Sequence, residues 1–188
     1  LGKEKTHRLW HGVYDLIANG PAPIALRRQY VLKAVRAMSA AERAPREFYP
    51  LVTAEMMDQL REIAFQTTPK DKPPHMPAVD FLVEFGDAAS IPLLKERAAA
   101  LGKMEQYTMI GDGMIWRIEA HHNPQMLLDF LRSDQWFGFN SRDWALEKAV
   151  AIGVPKEQIR SALIAHAAHK DKNRWFKGEL AGLKRQAI

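Results

Sequence analysis

The stretch from Phe81 to Leu101, Phe-Leu-Val-Glu-Phe-Gly-Asp-Ala-Ala-Ser-Ile-Pro-Leu-Leu-Lys-Glu-Arg-Ala-Ala-Ala-Leu, constrains the chain more than any other. An apolar helix end meets a glycine, and a second helix starts at once. Gly86 stands where a helix C-terminus favours a left-handed residue, and Asp87 is a suitable N-cap for the second helix. Ile91, Leu93, Leu94, Ala98 and Leu101 then fall on the apolar face of that helix. A junction this short makes the two helices antiparallel neighbours.

Helical periodicity recurs along the whole chain, and no segment alternates for long enough to make a strand. The spacing predicts an all-α protein with helices over 4–18, 24–38, 53–66, 78–85, 88–101, 105–121, 124–133, 142–152, 156–169 and 173–187. The punctuation agrees: Asn19-Gly20-Pro21 stops the first helix, and Thr53 can cap the third. Asn123-Pro124 supplies a cap and a first-turn proline, Ser141 a cap, and Gly153 followed by Pro155 a stop and restart. Ser39 to Glu42 has the form of a capping box, although Pro45 and Pro50 limit any helix there to a short turn. Four prolines between Pro69 and Pro77 predict an extended, solvated loop.

With 188 residues, 47% of them hydrophobic, the chain is long enough and apolar enough to bury a core. The absence of cysteine excludes disulfides, thiolate zinc sites and cysteine nucleophiles, and fits a cytoplasmic location. No apolar run is long enough to predict a membrane span. The net charge is +5, and its placement is uneven. Residues 154–188 carry eight Lys or Arg against three acids, which accounts for the whole excess. A basic end on a neutral body points either to an acidic partner or to a solvated terminal face, and the second is the commoner case.

Three tetrapeptides share the form aromatic, any, aliphatic, Glu: Phe81-x-Val83-Glu84, Trp116-x-Ile118-Glu119 and Trp144-x-Leu146-Glu147. Each falls on the second helix of a proposed pair. Recurrence in fixed phase at this scale marks a helix pair that buries its apolar face only by stacking on the next pair. Lys148 to Gly153, followed by the helix through Ile159 and Leu163, repeats the helix, glycine, helix pattern of Gly86. The junction at Gly86 resembles the seam between two HEAT repeats, with the likeness clearest over 78–188 and weakest over the first fifty residues. The resemblance implies an α-α superhelix of about five antiparallel helix pairs, a HEAT-like solenoid. The whole chain 1–188 is then one domain, with an atypical pair over 1–50 and HEAT-like pairs over 51–188. It further implies a curved stack whose inner face, lined by the second helices, grips another macromolecule.

On that inner face, Phe81, Trp116 and Trp144 with Glu84, Glu119 and Glu147 would form an aromatic and acidic ladder suited to a basic peptide. The competing expectation, which we weight more, is that these rings pack between repeats. Trp136, Phe137 and Phe139 crowd one short linker, either as an exposed hot spot or as a plug folded back on its helix pair. On the last helix Arg174, Lys177, Lys184 and Arg185 share an arc beside the Phe176, Leu180, Leu183 stripe, the best site for an anion or nucleic acid.

His7 with His11 and His166 with His169 have spacings that present two imidazoles together, but no third ligand stands in a recognised motif. The expectation is structural histidines, no metal and no cofactor. No phosphate loop and no nucleophile elbow occur. The leading expectation is therefore a non-catalytic protein-binding or scaffold module. The alternative is a nucleic-acid binder using the basic last helix and concave Trp and Arg residues. At its enzymatic extreme that alternative is a HEAT-like DNA glycosylase with Asp112 or Asp143 as its carboxylate.

Overall fold

The computed structural model describes residues 12–101, 113–133, 135 and 141–169. The chain divides into two compact units, Leu1–Gly111 and Asp112–Ile188. Among the described residues every regular element is helical.

In the first unit, α1 covers 12–19 and closes where the Gly20 N–H donates to the Leu16 carbonyl at 2.9 Å. Pro23 leads into α2 (Ile24–Ala37), whose Val31 and Val35 lie one turn apart and are fully buried. Only half of the Ser39 to Glu42 capping box forms: the Ser39 N–H donates to Glu42 Oε2 at 3.1 Å, but the Glu42 N–H donates to the Ser39 carbonyl at 3.0 Å and the Ser39 hydroxyl accepts from the Ala41 N–H at 3.5 Å. It closes a lone turn, as the prolines dictate. A 3-10 helix over Arg46–Leu51 then buries Phe48 and Leu51, and Phe48 meets the Tyr14 ring edge-on at 5.3 Å.

The helix expected from Thr53 begins as a 3-10 turn, Ala54–Met56, and becomes α3 over Met57–Gln66. The Thr53 hydroxyl bonds Glu55 instead of capping. α3 buries Met57, Leu60, Ile63 and Ala64 against α4 (Met76–Glu84), and α2 packs on both. α4 is the centre of this core. Pro77, Ala78, Val79, Phe81, Leu82 and Val83 are all buried, so the helix is enclosed nearly all round. Each fully buried Leu or Phe adds about 2 kcal/mol of transfer free energy.

The proline-rich stretch is solvated as the sequence predicts only over Pro69 to Lys72, which are exposed. Pro74 and His75 are buried, and both ends are pinned. The His75 N–H donates to the Ala64 carbonyl at 2.9 Å, its Nε2 lies 3.0 Å from the Met38 carbonyl, and the Met76 N–H donates to the Ala40 carbonyl at 2.9 Å. At the other end the Arg97 guanidinium reaches in from α5 (Ile91–Leu101). Its Nη1 donates to the Pro69 carbonyl at 2.6 Å, the Lys72 carbonyl at 2.8 Å and Thr68 Oγ1 at 3.0 Å. Its Nη2 donates to the Phe65 carbonyl at 2.7 Å. The Phe65 carbonyl belongs to the last turn of α3, which leaves it without an intrahelical partner, and the other acceptors belong to the loop that follows. Arg97 is 4% exposed, and desolvation lowers its pKa from the ordinary arginine value.

Gly86 has φ of 65° and ends α4 as predicted. The Asp87 side chain turns from capping to receive Arg61 Nη1 at 2.5 Å and the Ser90 hydroxyl, and a 3-10 turn, Ala88–Ser90, precedes α5. On α5 only Leu94 of the expected stripe is fully buried. Ile91, Leu93, Ala98 and Leu101 are half-buried, since Arg97 occupies the inner position between them.

In the second unit, α6 (Met114–His122) and α7 (Pro124–Arg132) are separated by Asn123 alone. Its side chain accepts from the Gln125 N–H at 3.1 Å, the predicted cap. α8 (Ser141–Ala151) and α9 (Lys156–His169) complete the unit's described helices. α7 packs on α6, α8 and α9, and its Leu127, Leu128, Phe130 and Leu131 form the middle of a core with Trp116, Leu146, Ile159 and Leu163. Ser141, expected before the helix, is its first residue and is buried. Val150 is 58% exposed, and Ala145 and Ala149 fill the inner positions of α8.

Arg142, also 4% exposed, repeats the device of Arg97. Its Nη1 donates to the Phe130 carbonyl at 3.2 Å, and its Nη2 to the Ser133 and Gln135 carbonyls at 2.6 and 3.1 Å, closing the end of α7. Gly153, with φ of 79°, ends α8.

Candidate functional site

Two helical faces of the second unit place side chains of different chemistry together. On α6, Arg117 and His121 are one turn apart, and on α8 so are Trp144 and Lys148. The Trp144 ring is the meeting point. Arg117 Cζ lies 5.1 Å from its centroid, Lys148 Nζ 5.8 Å, and the His121 ring centroid 5.8 Å. Beneath it Trp116 makes an edge contact at 5.7 Å, and Trp116 in turn packs on Phe130 at 4.5 Å. Trp116 is buried whereas Trp144 is half-buried, so the pair runs from the core to the surface. Cations over the face of an indole are attracted by its quadrupole, which holds Arg117 and Lys148 in place on the ring.

The aromatic ladder expected from the sequence divides between the two units. Trp116 and Trp144 touch. Phe81 belongs to the first unit, where it is fully buried and packs on Tyr49 at 4.9 Å. Glu84 is half-buried on α4, Glu119 half-buried on α6, and Glu147 exposed on α8, one turn from Trp144. Trp136, Phe137, Phe139, Arg174, Lys177, Lys184 and Arg185 lie outside the described residues, as do His7, His11, Asp112 and the His169 side chain. His166 is 1% exposed within α9. Asp143 is half-buried in the first turn of α8, next to Trp144. Among the described residues no group of three His, Asp or Glu could hold a metal, and no helix is long and apolar enough to cross a membrane.

The sequence alone does not single out Arg117, His121 and Lys148. Their spacing is visible there, but its meaning depends on α6 and α8 approaching each other.

A groove of about 540 Å³ lies between α3 and α5. Phe65 and Leu93 line it, and its charged walls are already matched. Lys70 pairs with Glu96 at 2.7 Å and holds that carboxyl below the usual range, and Glu62 pairs with Arg36 at 3.2 Å. Arg61 is bound by both Asp87 and Asp58, the Asp87 hydrogen bond foremost in raising its pKa. Walls neutralised in this way exert little field on a charged ligand. The chain as a whole matches no known family model, no curated protein and no solved structure.

Proposed function

We propose that this chain is a non-catalytic α-helical binding module, of HEAT-like solenoid type, that docks a protein partner at the Trp144 face of its second unit. The observation that carries the reading is the half-buried indole set over a buried Trp116 and rimmed by Arg117 and Lys148. A large rigid ring anchored from below and surrounded by polar groups has the anatomy of an interface hot spot. Two contacts favour stacked repeats. α7 packs on α9, its next neighbour but one, and Trp116 of α6 meets Trp144 of α8 in the same relation. Gly86 and Gly153, which end α4 and α8 alike, add a shared joint.

The test is photo-cross-linking from a benzophenone amino acid at position 147, exposed and one turn from Trp144, in full-length protein exposed to an extract of its source cells. Protein adducts that disappear in Trp144→Leu are expected. Adducts indifferent to that substitution would sink the reading.

The second reading is nucleic-acid binding, favoured by the +5 charge concentrated over residues 154–188. Titration of labelled duplex DNA at two salt concentrations tests it: tight binding that collapses with salt would promote it above the first. A glycosylase would in addition need a recessed carboxylate beside an accessible tryptophan, and Asp143 is the described acid nearest to that description.

A further inference from the structure

Of the four asparagines in the chain, Asn19 alone is followed by glycine; Asn123 precedes a proline, Asn140 a serine and Asn173 an arginine. An asparagine loses its amide when the backbone nitrogen of the next residue attacks the side-chain carbonyl carbon. Proline has no N–H to give up in that step, and a Cβ on the attacking residue crowds it, so glycine is the most permissive neighbour. We infer that Asn19 is a site of spontaneous self-modification, and that its conversion to a carboxylate unlatches the end of α1 from α2.

The fold demands the glycine that makes this pair reactive. A Cβ on Gly20 would stand 2.2 Å from the Leu16 carbonyl oxygen and 3.1 Å from Leu16 Cδ1. Asn19 is exposed at the last position of α1, within reach of water. In the closed turn both reacting groups are engaged: Asn19 Nδ2 donates to Asp15 Oδ1 at 2.7 Å, and the Gly20 N–H to the Leu16 carbonyl at 2.9 Å. Those bonds belong to the final turn of a helix, which opens at low cost. The reaction therefore runs through the frayed turn.

Once the turn opens, the Gly20 nitrogen bonds to Asn19 Cγ, the Cγ–Nδ2 bond breaks, and ammonia leaves with the proton that the Gly20 nitrogen gives up. Water then opens the cyclic imide at either carbonyl. Attack at Cγ leaves aspartate at 19; attack at the backbone carbonyl leaves isoaspartate, whose main chain runs through the side chain and is one carbon longer. Neither product restores the closed turn. A carboxylate offers Asp15 no donor and stands one turn from its charge, at a helix end whose dipole favours cations. The extra carbon of isoaspartate moves the Gly20 N–H out of register with the Leu16 carbonyl. Next in the chain is the Ala18 carbonyl, which Arg27 of α2 grips through Nη1, so this tie between the helices goes with the turn.

The test is incubation of the full-length protein at neutral pH, followed by peptide mass spectrometry with fragmentation that separates isoaspartate from aspartate. A mixture of both at position 19 is expected, forming on the order of tenfold more slowly than in the urea-unfolded chain, because only the frayed fraction reacts. Hydrogen exchange over residues 12–20 should be several-fold faster in the converted protein and in Asn19→Asp. Asn19→Gln, which would have to close a larger and less favourable ring, should keep both its amide and its slow exchange. An Asn19 that stays intact in the folded protein after the unfolded chain has converted fully would overturn the site. Aspartate formed without isoaspartate would rule out the imide route. Conversion that leaves exchange over 12–20 unchanged would refute the unlatching.

Discussion

Gly86 and Gly153 close their helices with the same two backbone bonds. The Gly86 N–H donates to the Val83 carbonyl at 3.2 Å and the Asp87 N–H to the Leu82 carbonyl at 2.9 Å. The Gly153 N–H donates to the Val150 carbonyl at 3.1 Å and the Val154 N–H to the Ala149 carbonyl at 2.9 Å. Both are Schellman closures with glycine in the left-handed position. A Cβ at Gly153 would meet nothing within 4 Å, so Gly153→Ala reports the backbone cost alone. A loss of about 1 kcal/mol is expected by urea unfolding, with Gly153→Asn losing less because asparagine tolerates this conformation better.

Arg97→Lys should cost about 3 kcal/mol. One ammonium cannot reach the set of carbonyls that the guanidinium bridges, and these part-buried acceptors lose its charged donors. The local readout is proteolysis: cleavage between residues 67 and 75 should accelerate more than global unfolding explains. Arg142→Lys should loosen the end of α7 in the same manner.

Tyr49 makes stability fall at alkaline pH. Burial, and after it the Asp80 and Glu84 carboxylates, raises its phenol above the ordinary value of 10.0. The native state therefore keeps a proton that the unfolded chain releases near that pH. The stabilisation is complete below it and is lost as pH rises toward the folded value, by at most about 1.4 kcal/mol per pH unit. In Tyr49→Phe the decline above pH 10 should be shallower than in the wild type, measured by urea midpoints across that range.

Trp116→Ala should lose about 4 kcal/mol, as expected for emptying a buried aromatic site next to Phe130. Trp144→Leu should lose distinctly less, because that ring is half-buried. Paired thermal unfolding decides it, and equal losses would show that Trp144 serves the core more than the surface.

Features decided locally are the ones legible in the sequence. Gly86, Gly153 and Asn123 act within a few residues of themselves, and the neighbours of each suffice to place it. Pro73 to Pro77 reads as solvated like the exposed residues before it, because its burial comes from afar, from the elements that supply the carbonyls of Met38, Ala40 and Ala64. Phe81, Trp116 and Trp144 share one motif yet differ in exposure, since Tyr49, Phe130 and Arg117 beside them are supplied by other elements. Arg97 and Arg142 carry charge, which in sequence reads as surface. Only the assembled helix ends give each buried guanidinium its acceptors.

Apart from Thr68 Oγ1, those two arginines recognise oxygen atoms that every amino acid possesses. Side chains at 69, 72, 133 and 135 can therefore drift with little effect on the anchor, whereas the guanidinium that grips their peptide groups cannot be exchanged. Any kinship between the two halves would survive in this shared grip long after letter-by-letter likeness had worn away.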